Sequence, residues 1–226
     1  MPDDTALVGA VRTALREHAD PERAAGMQAY LKTTEPCLGV RLPEVRRVAR
    51  AAAAVHPPRS VAEVVDAAEA LWREAAFREE RYAAQAVTGL PIARGDLRLL
   101  PLLTEMISTG AWWDLVDGTQ PRVRELLVDD PETMDGVLRD WARSPDRWLR
   151  RSAVIAQLGL KRHTDTALLT DVVLANADDP DFFLRKAIGW ALREYAKVAP
   201  DWVAAFVREH PLSPLSVREA TRHLRT

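Results

Sequence analysis

The chain has 226 residues, 47% of them hydrophobic, which is enough to bury a sizeable core in one domain or two. Lys and Arg number 31 against 33 Asp and Glu, for a net charge of −2, so composition makes no global case for nucleic acid and any such surface has to be a segregated patch. The single Cys37 excludes an internal disulfide framework and suits a reducing compartment, and no apolar run reaches membrane-spanning length.

The acidic start Met1-Pro2-Asp3-Asp4 has no apolar stretch behind it, so no signal peptide is expected and a cytoplasmic protein is. Nothing along the chain alternates with the period of a strand. Apolar residues recur at three and four instead, broken by Pro, Gly and Asp. Helix starts are expected at Asp20-Pro21-Glu22, Leu42-Pro43-Glu44, Asp130-Pro131-Glu132, Pro145-Asp146 and Pro180-Asp181, each placing Pro or an acid where free N–H groups begin a helix. The short run Ala51-Ala52-Ala53-Ala54-Val55 reads as helix interior. About a dozen helices of ordinary length follow, with no long linker, and residues 1–226 are expected to form a single domain.

Pro145-Asp146-Arg147-Trp148-Leu149-Arg150-Arg151-Ser152-Ala153 echoes Pro180-Asp181-Phe182-Phe183-Leu184-Arg185-Lys186-Ala187-Ile188 at a shift of 35 residues. Two such shifts lay Arg151 on Arg81, and one lays Trp148 on Trp113. A period in this range with two helices per unit predicts an all-α fold, a curved α-solenoid of HEAT-like repeats whose inner helices line a concave face.

Catalytic alternatives fall away on spacing. The five histidines are scattered, Cys37 has no CxxC partner, and neither a strand-following Gly-rich loop nor a GxSxG elbow exists, so no metal or cofactor is expected. What remains is Gly110-Ala111-Trp112-Trp113-Asp114-Leu115-Val116-Asp117 and the arginines. Trp113 and Asp117 are four apart and share a helix face, a π surface beside a carboxylate that suits a cation. Trp112 and Trp113 point about 100° apart, so one packs and the other lines a groove. Asp114 is explained as a first-turn acid on the helix dipole; Asp117 lies a turn deeper, where that explanation weakens. Of the seven tryptophans, Trp72, Trp141 and Trp202 are expected in the core, while Trp148 is open between packing and surface.

Arg81, Arg151 and Lys186 share one place in the echo and form a candidate cationic stripe for a phosphate backbone, which Lys32 joins; the alternative is ordinary solvated helix faces. Tyr30 stacks or packs. Further basic groups are Arg41, Arg46, Arg47 and Arg50; Arg147 and Arg150; Arg185; and Arg218, Arg222 and Arg225. Of the aromatic and basic residues, Tyr30, Lys32, Arg41, Arg46, Trp112, Arg150, Arg151 and Lys186 are taken as candidate DNA contacts.

The chain resembles the AlkD-type bacterial DNA glycosylases, alkylation repair enzymes built of HEAT-like repeats. The resemblance runs over nearly its whole length. It is carried by Tyr30-Leu31-Lys32, Leu38-Gly39-Val40 with Pro43-Glu44, Trp112-Trp113-Asp114-Leu115-Val116-Asp117 and Trp148-Leu149-Arg150-Arg151, then by Lys186-Ala187-Ile188-Gly189-Trp190 through Lys197, and by Pro214-Leu215-Ser216. It implies that Trp113 and Trp190 are active-site aromatics, that Asp117 is the catalytic carboxylate and that Arg151 contacts the backbone near the lesion. The implied substrate is duplex DNA carrying cationic N3- and N7-alkylpurines, cleaved without base flipping. One departure is Arg41-Leu42, where relatives carry polar residues; Leu42 has no group to hydrogen-bond the strand opposite the lesion. A monomer is expected, as no apolar heptad seam is evident. Other readings are an enzyme specialised for bulky natural-product adducts, a non-catalytic DNA-binding solenoid and a protein scaffold.

Overall fold

The computed structural model describes residues 6–224, so the readings made of Met1–Asp4 and of Arg225 lie outside the described residues. Among these residues the chain is all-helical, with thirteen α-helices, three short 3-10 turns and no strand, as the apolar spacing predicts. The contacts divide it into two compact units, residues 1–106 and 107–226.

The first unit holds α1 (Ala6–Glu17), α2 (Pro21–Leu31), α3 (Leu42–Val55), α4 (Val61–Arg73) and α5 (Arg78–Val87); α6 (Leu100–Gly110) contains the division. In α1 the buried residues are Leu7, Val8, Val11 and Leu15, one stripe of a 3.6-residue period. They face α3, where Val45, Val48 and Ala49 are buried, and α5 packs on both α3 and α4. The starts expected at Asp20 and Leu42 are present; Asp20 accepts the Arg23 N–H at 2.9 Å, whereas Arg41 ahead of α3 makes no side-chain cap.

One feature of this unit runs against its sequence. Arg78, Glu79 and Glu80 are three consecutive charges, and all three are buried. Each is fully engaged, as buried charge requires. Glu80 takes Arg12 and Arg16 at 3.2 and 3.3 Å. Arg78 pairs with Glu35 and donates to the Tyr82 hydroxyl. Glu79 accepts the backbone N–H groups of Leu38, Gly39 and Val40 at 2.9, 2.8 and 3.1 Å, clamping that loop. Gly39 sits at φ +82°, and a Cβ there would lie 2.1 Å from the Asp20 carbonyl oxygen, so glycine is required on both counts.

The second unit holds α7 (Trp113–Asp129), α8 (Pro131–Ala142), α9 (Arg147–Ile155), α10 (Thr166–Leu174), α11 (Phe182–Ala196), α12 (Pro200–Glu209) and α13 (Pro214–Ala220). Its core joins Val154 and Ile155 of α9, Leu169 and Val173 of α10, Ala187, Ile188 and Leu192 of α11, and Val203 and Phe206 of α12. Helices α11 and α13 approach so closely that a Cβ on Gly189 would meet the Glu219 Cβ at 2.4 Å.

The sequence echo is a structural one. Asp146 and Asp181 cap α9 and α11 by accepting the N–H of Trp148 and Phe183 at 2.8 and 2.7 Å. Arg150 donates to the Ser144 carbonyl and Arg185 to the Asp179 carbonyl, six residues back in each case. The register changes by one residue further upstream: α7 begins 34 residues before α9, so Trp113 corresponds to Arg147 rather than to Trp148. Asp117, Arg151 and Lys186 are then each the fifth residue of their helix.

Candidate active site

The site is built at the start of α7. Ala111 takes φ +42°, in the left-handed region, and Trp112 returns to extended backbone as the N-cap. Capping positions favour Ser, Thr, Asp or Asn. Here an indole stands instead, without a side-chain cap bond, and Asp114 supplies the first-turn acid. A helix that gives up its cap at one point and carries two tryptophans there breaks a local rule where function is expected.

Asp117 lies one turn in, its side chain 19% exposed. Arg151 of α9 meets it as a fork, Nε to Oδ1 at 2.8 Å and Nη2 to Oδ2 at 2.7 Å. The third arm, Nη1, donates to the Phe183 carbonyl of α11 at 2.7 Å, so one guanidinium ties α7, α9 and α11 together. Burial pushes the Asp117 carboxyl above the ordinary aspartate value; Arg151 pulls it back down and the neighbouring Asp114 charge adds to the rise.

Beside this pair is an aromatic cluster. Trp112 lies edge-on to Phe183 at 5.4 Å and to Trp148 at 6.2 Å, and Trp148 meets Phe183 at 5.1 Å. Trp148 is 4% exposed, which decides it as packing, with Arg147 over its ring at 5.0 Å. Of the two adjacent tryptophans, Trp112 joins the cluster, and both it and Trp113 are half-buried. Trp190 is half-buried against the core of its unit. It follows Phe183 by seven residues, two turns and about 10 Å along α11, on the same face.

The expected basic groups fare differently. Arg151 is buried and occupied by Asp117 and Phe183, not projected toward solvent. Arg150 is held by Asp179 and the carbonyls of Ser144 and Pro145, and Lys186 pairs with Glu219 at 2.8 Å. Arg81 pairs with Glu35 at 3.1 Å. The stripe expected from the echo is therefore corrected: Arg81, Arg151 and Lys186 are each paired with a carboxylate that the fold brings opposite from far off in sequence. Tyr30, Lys32, Arg41 and Arg46 are exposed on the first unit. Trp72 and Trp141 are buried as expected, and Trp202 is half-buried, stacked on Phe206. Phe183, Gln120 and Ser152 escaped the sequence reading. The echo held the signal for Phe183, since it falls on Trp148; no local pattern marks the other two.

Among the described residues no group of three or more His, Cys, Asp or Glu is placed to hold a metal ion, and no helix is long and apolar enough to cross a membrane.

The comparisons agree with this architecture. Residues 11–224 match the family model described as DNA alkylation repair enzyme. A solved structure from Enterococcus faecalis, described as a predicted DNA alkylation repair enzyme, superposes with a TM-score of 0.76 at 27% sequence identity, covering 92% of this chain and 98% of that one. Among curated protein sequences nothing matches. The helical architecture is the α-solenoid fold of that family. With the model match spanning nearly every residue, the chain belongs to the DNA alkylation repair enzyme family.

Proposed function

We propose that the protein is a DNA glycosylase that hydrolyses the N-glycosidic bond of cationic N3- and N7-alkylpurines in duplex DNA, with Asp117 as the essential anion and Trp113 and Trp190 as aromatic walls, and without flipping the base into a pocket. The observation that carries the reading is a half-buried carboxylate, held by an arginine fork, one turn inside a helix that opens on two tryptophans.

The chemistry needs little else. Alkylation at N3 or N7 gives the purine a positive charge, so it departs as a neutral base with the electron pair of the C1′–N bond. No acid has to protonate it. Positive charge passes to the sugar, as in oxocarbenium-like glycoside hydrolysis. Water then adds to C1′ and loses its proton, leaving an abasic site. A carboxylate about 4 Å from a unit charge contributes roughly 4 kcal/mol at an effective dielectric of 20, against about 0.5–2 kcal/mol for an indole face. Asp117 therefore dominates the rate, and the tryptophans add recognition and a smaller share. Arg151 keeps both carboxylate oxygens oriented. The exposed Tyr30, Lys32, Arg41 and Arg46, whose side chains face solvent, supply the phosphate contacts.

The test is single-turnover incubation with a duplex carrying one 7-methylguanine, followed by cleavage at abasic sites. Release of the base by the wild-type protein is expected; none, with DNA bound, would reduce the protein to a non-catalytic DNA binder.

A further inference from the structure

Two side-chain pairs, not one, join α7 to α9 at the site. Beside Asp117–Arg151, Gln120 Nε2 donates to the Ser152 hydroxyl at 2.7 Å. Gln120 is three residues after Asp117 and Ser152 one after Arg151, so the second bond is a neighbouring rung of the same ladder. Gln120 is 5% exposed and Ser152 is fully buried.

Stability alone does not account for the glutamine. Its Oε1 is buried with no hydrogen-bond partner, a desolvation cost that an apolar residue of the same length would avoid. The backbone supplies a reason for a second tie. Pro121 lies inside α7. It has no N–H to return to the carbonyl four residues back, which is that of Asp117. The helix therefore lacks the rung that would hold the Asp117 carbonyl, at the turn that carries the carboxylate.

We propose that Gln120 and Ser152 are positioning residues for Asp117, restoring across α9 the register that Pro121 removes from α7. Their bond sets how squarely the carboxylate meets the Arg151 fork. The charged neighbours of Asp117 are Arg151 from α9 and Asp114 from its own helix. A slackened fork leaves the Asp114 repulsion and the burial less opposed.

The catalytic part of this proposal rests on the glycosylase reading; the geometric part does not, and the experiment separates them. Gln120→Met keeps length and volume without the amide, and Ser152→Ala removes only the hydroxyl, so it carries the test should Gln120→Met fail to fold. In the full chain, each is measured for single-turnover release of 7-methylguanine, for affinity to the same duplex and for the titration midpoint of the Asp117 carboxyl carbon by NMR. The expected result is a rate loss of about 10- to 100-fold, affinity within about twofold, and a midpoint moved upward. The double variant is expected to be no slower than the slower single one, because both break one bond. A folded variant with unchanged rate and midpoint overturns the proposal, as does a rate loss matched by an equal loss of affinity. If the wild-type protein releases no base, the glycosylase reading falls, and the midpoint still decides the tie: moved supports it, unmoved overturns it.

Discussion

Asp117 and Arg151 are 34 residues apart in sequence and face each other nitrogen to oxygen twice over, at 2.8 and 2.7 Å, from the fifth position of consecutive repeat helices. In the echo that place holds a cation in α9 and α11 but an acid in α7, so the repeat supplies the carboxylate with its own counter-ion. Asp117→Asn keeps the shape and one acceptor while removing the charge. It is expected to slow release of 7-methylguanine by about 10³-fold, the equivalent of roughly 4 kcal/mol, with DNA affinity nearly unchanged. A variant that turns over at the wild-type rate in a single-turnover assay removes Asp117 from the mechanism.

Arg151→Lys is the sharper probe of the fork. Lysine preserves the charge, but as a single point it reaches neither both oxygens nor the Phe183 carbonyl together. The residue is 5% exposed, so solvent does not replace the lost bonds. Removing one partner of a buried pair typically costs about 3–5 kcal/mol, and the retained charge keeps the lysine variant below that. Urea unfolding of the wild-type protein, Arg151→Lys and Arg151→Ala should rank them in that order of falling stability. Equal midpoints for all three would show that the fork contributes nothing to the fold.

The pH dependence follows from the burial of Asp117. Its folded value lies above the ordinary 3.8. The active form is the carboxylate, so the excision rate should rise with pH through a midpoint above that value and be flat at neutrality. For stability the sign is opposite. The folded state holds its proton to higher pH than the unfolded chain, so this group weakens the fold as pH climbs from the ordinary aspartate value through the folded midpoint. Asp117→Asn should flatten both effects. Rate profiles corrected for spontaneous depurination, and denaturation midpoints measured across the same range, check the two signs; an acid limb at or below the ordinary value would contradict the burial.

Legibility in the sequence followed the range of the interactions. The helices, their Pro- and Asp-marked starts and the echoed turns of α9 and α11 depend on residues two to six apart, and these are readable. The same local evidence singled out Trp113 and Asp117 by a spacing of four. It did not show that Arg151 is occupied by Asp117, or that Lys186 and Arg81 face Glu219 and Glu35, because those partners lie 34, 33 and 46 residues away. Charges that looked free for a phosphate were half of a pair. The run Arg78-Glu79-Glu80 has no local pattern that marks it as buried; its partners are the arginines of α1, Glu35 and the loop at residues 38–40, again far off in sequence.

That loop yields the last expectation, in the first unit. Glu79 takes three consecutive N–H groups, Gly39 fills the one position where a Cβ would strike the Asp20 carbonyl, and Arg23 donates to the Gly39 carbonyl at 2.8 Å. The exposed Arg41 follows two residues later, so the clamp fixes the approach of a candidate DNA contact. Gly39→Ala combines a strained φ with a 2.1 Å overlap against backbone, and neither relaxes without moving α2 or the loop. It should destabilise the fold by more than about 2 kcal/mol. Glu79→Gln is milder in shape but replaces one carboxylate oxygen by an NH2 that meets N–H groups donor to donor, so a loss of roughly 1–3 kcal/mol is expected. If the loop presents Arg41 to DNA, Glu79→Gln should also weaken duplex binding more than it slows single-turnover excision at saturating protein. Fluorescence anisotropy on a labelled duplex against the excision rate separates the two, and a variant that loses rate with affinity intact would tie the loop to the chemistry rather than to the backbone.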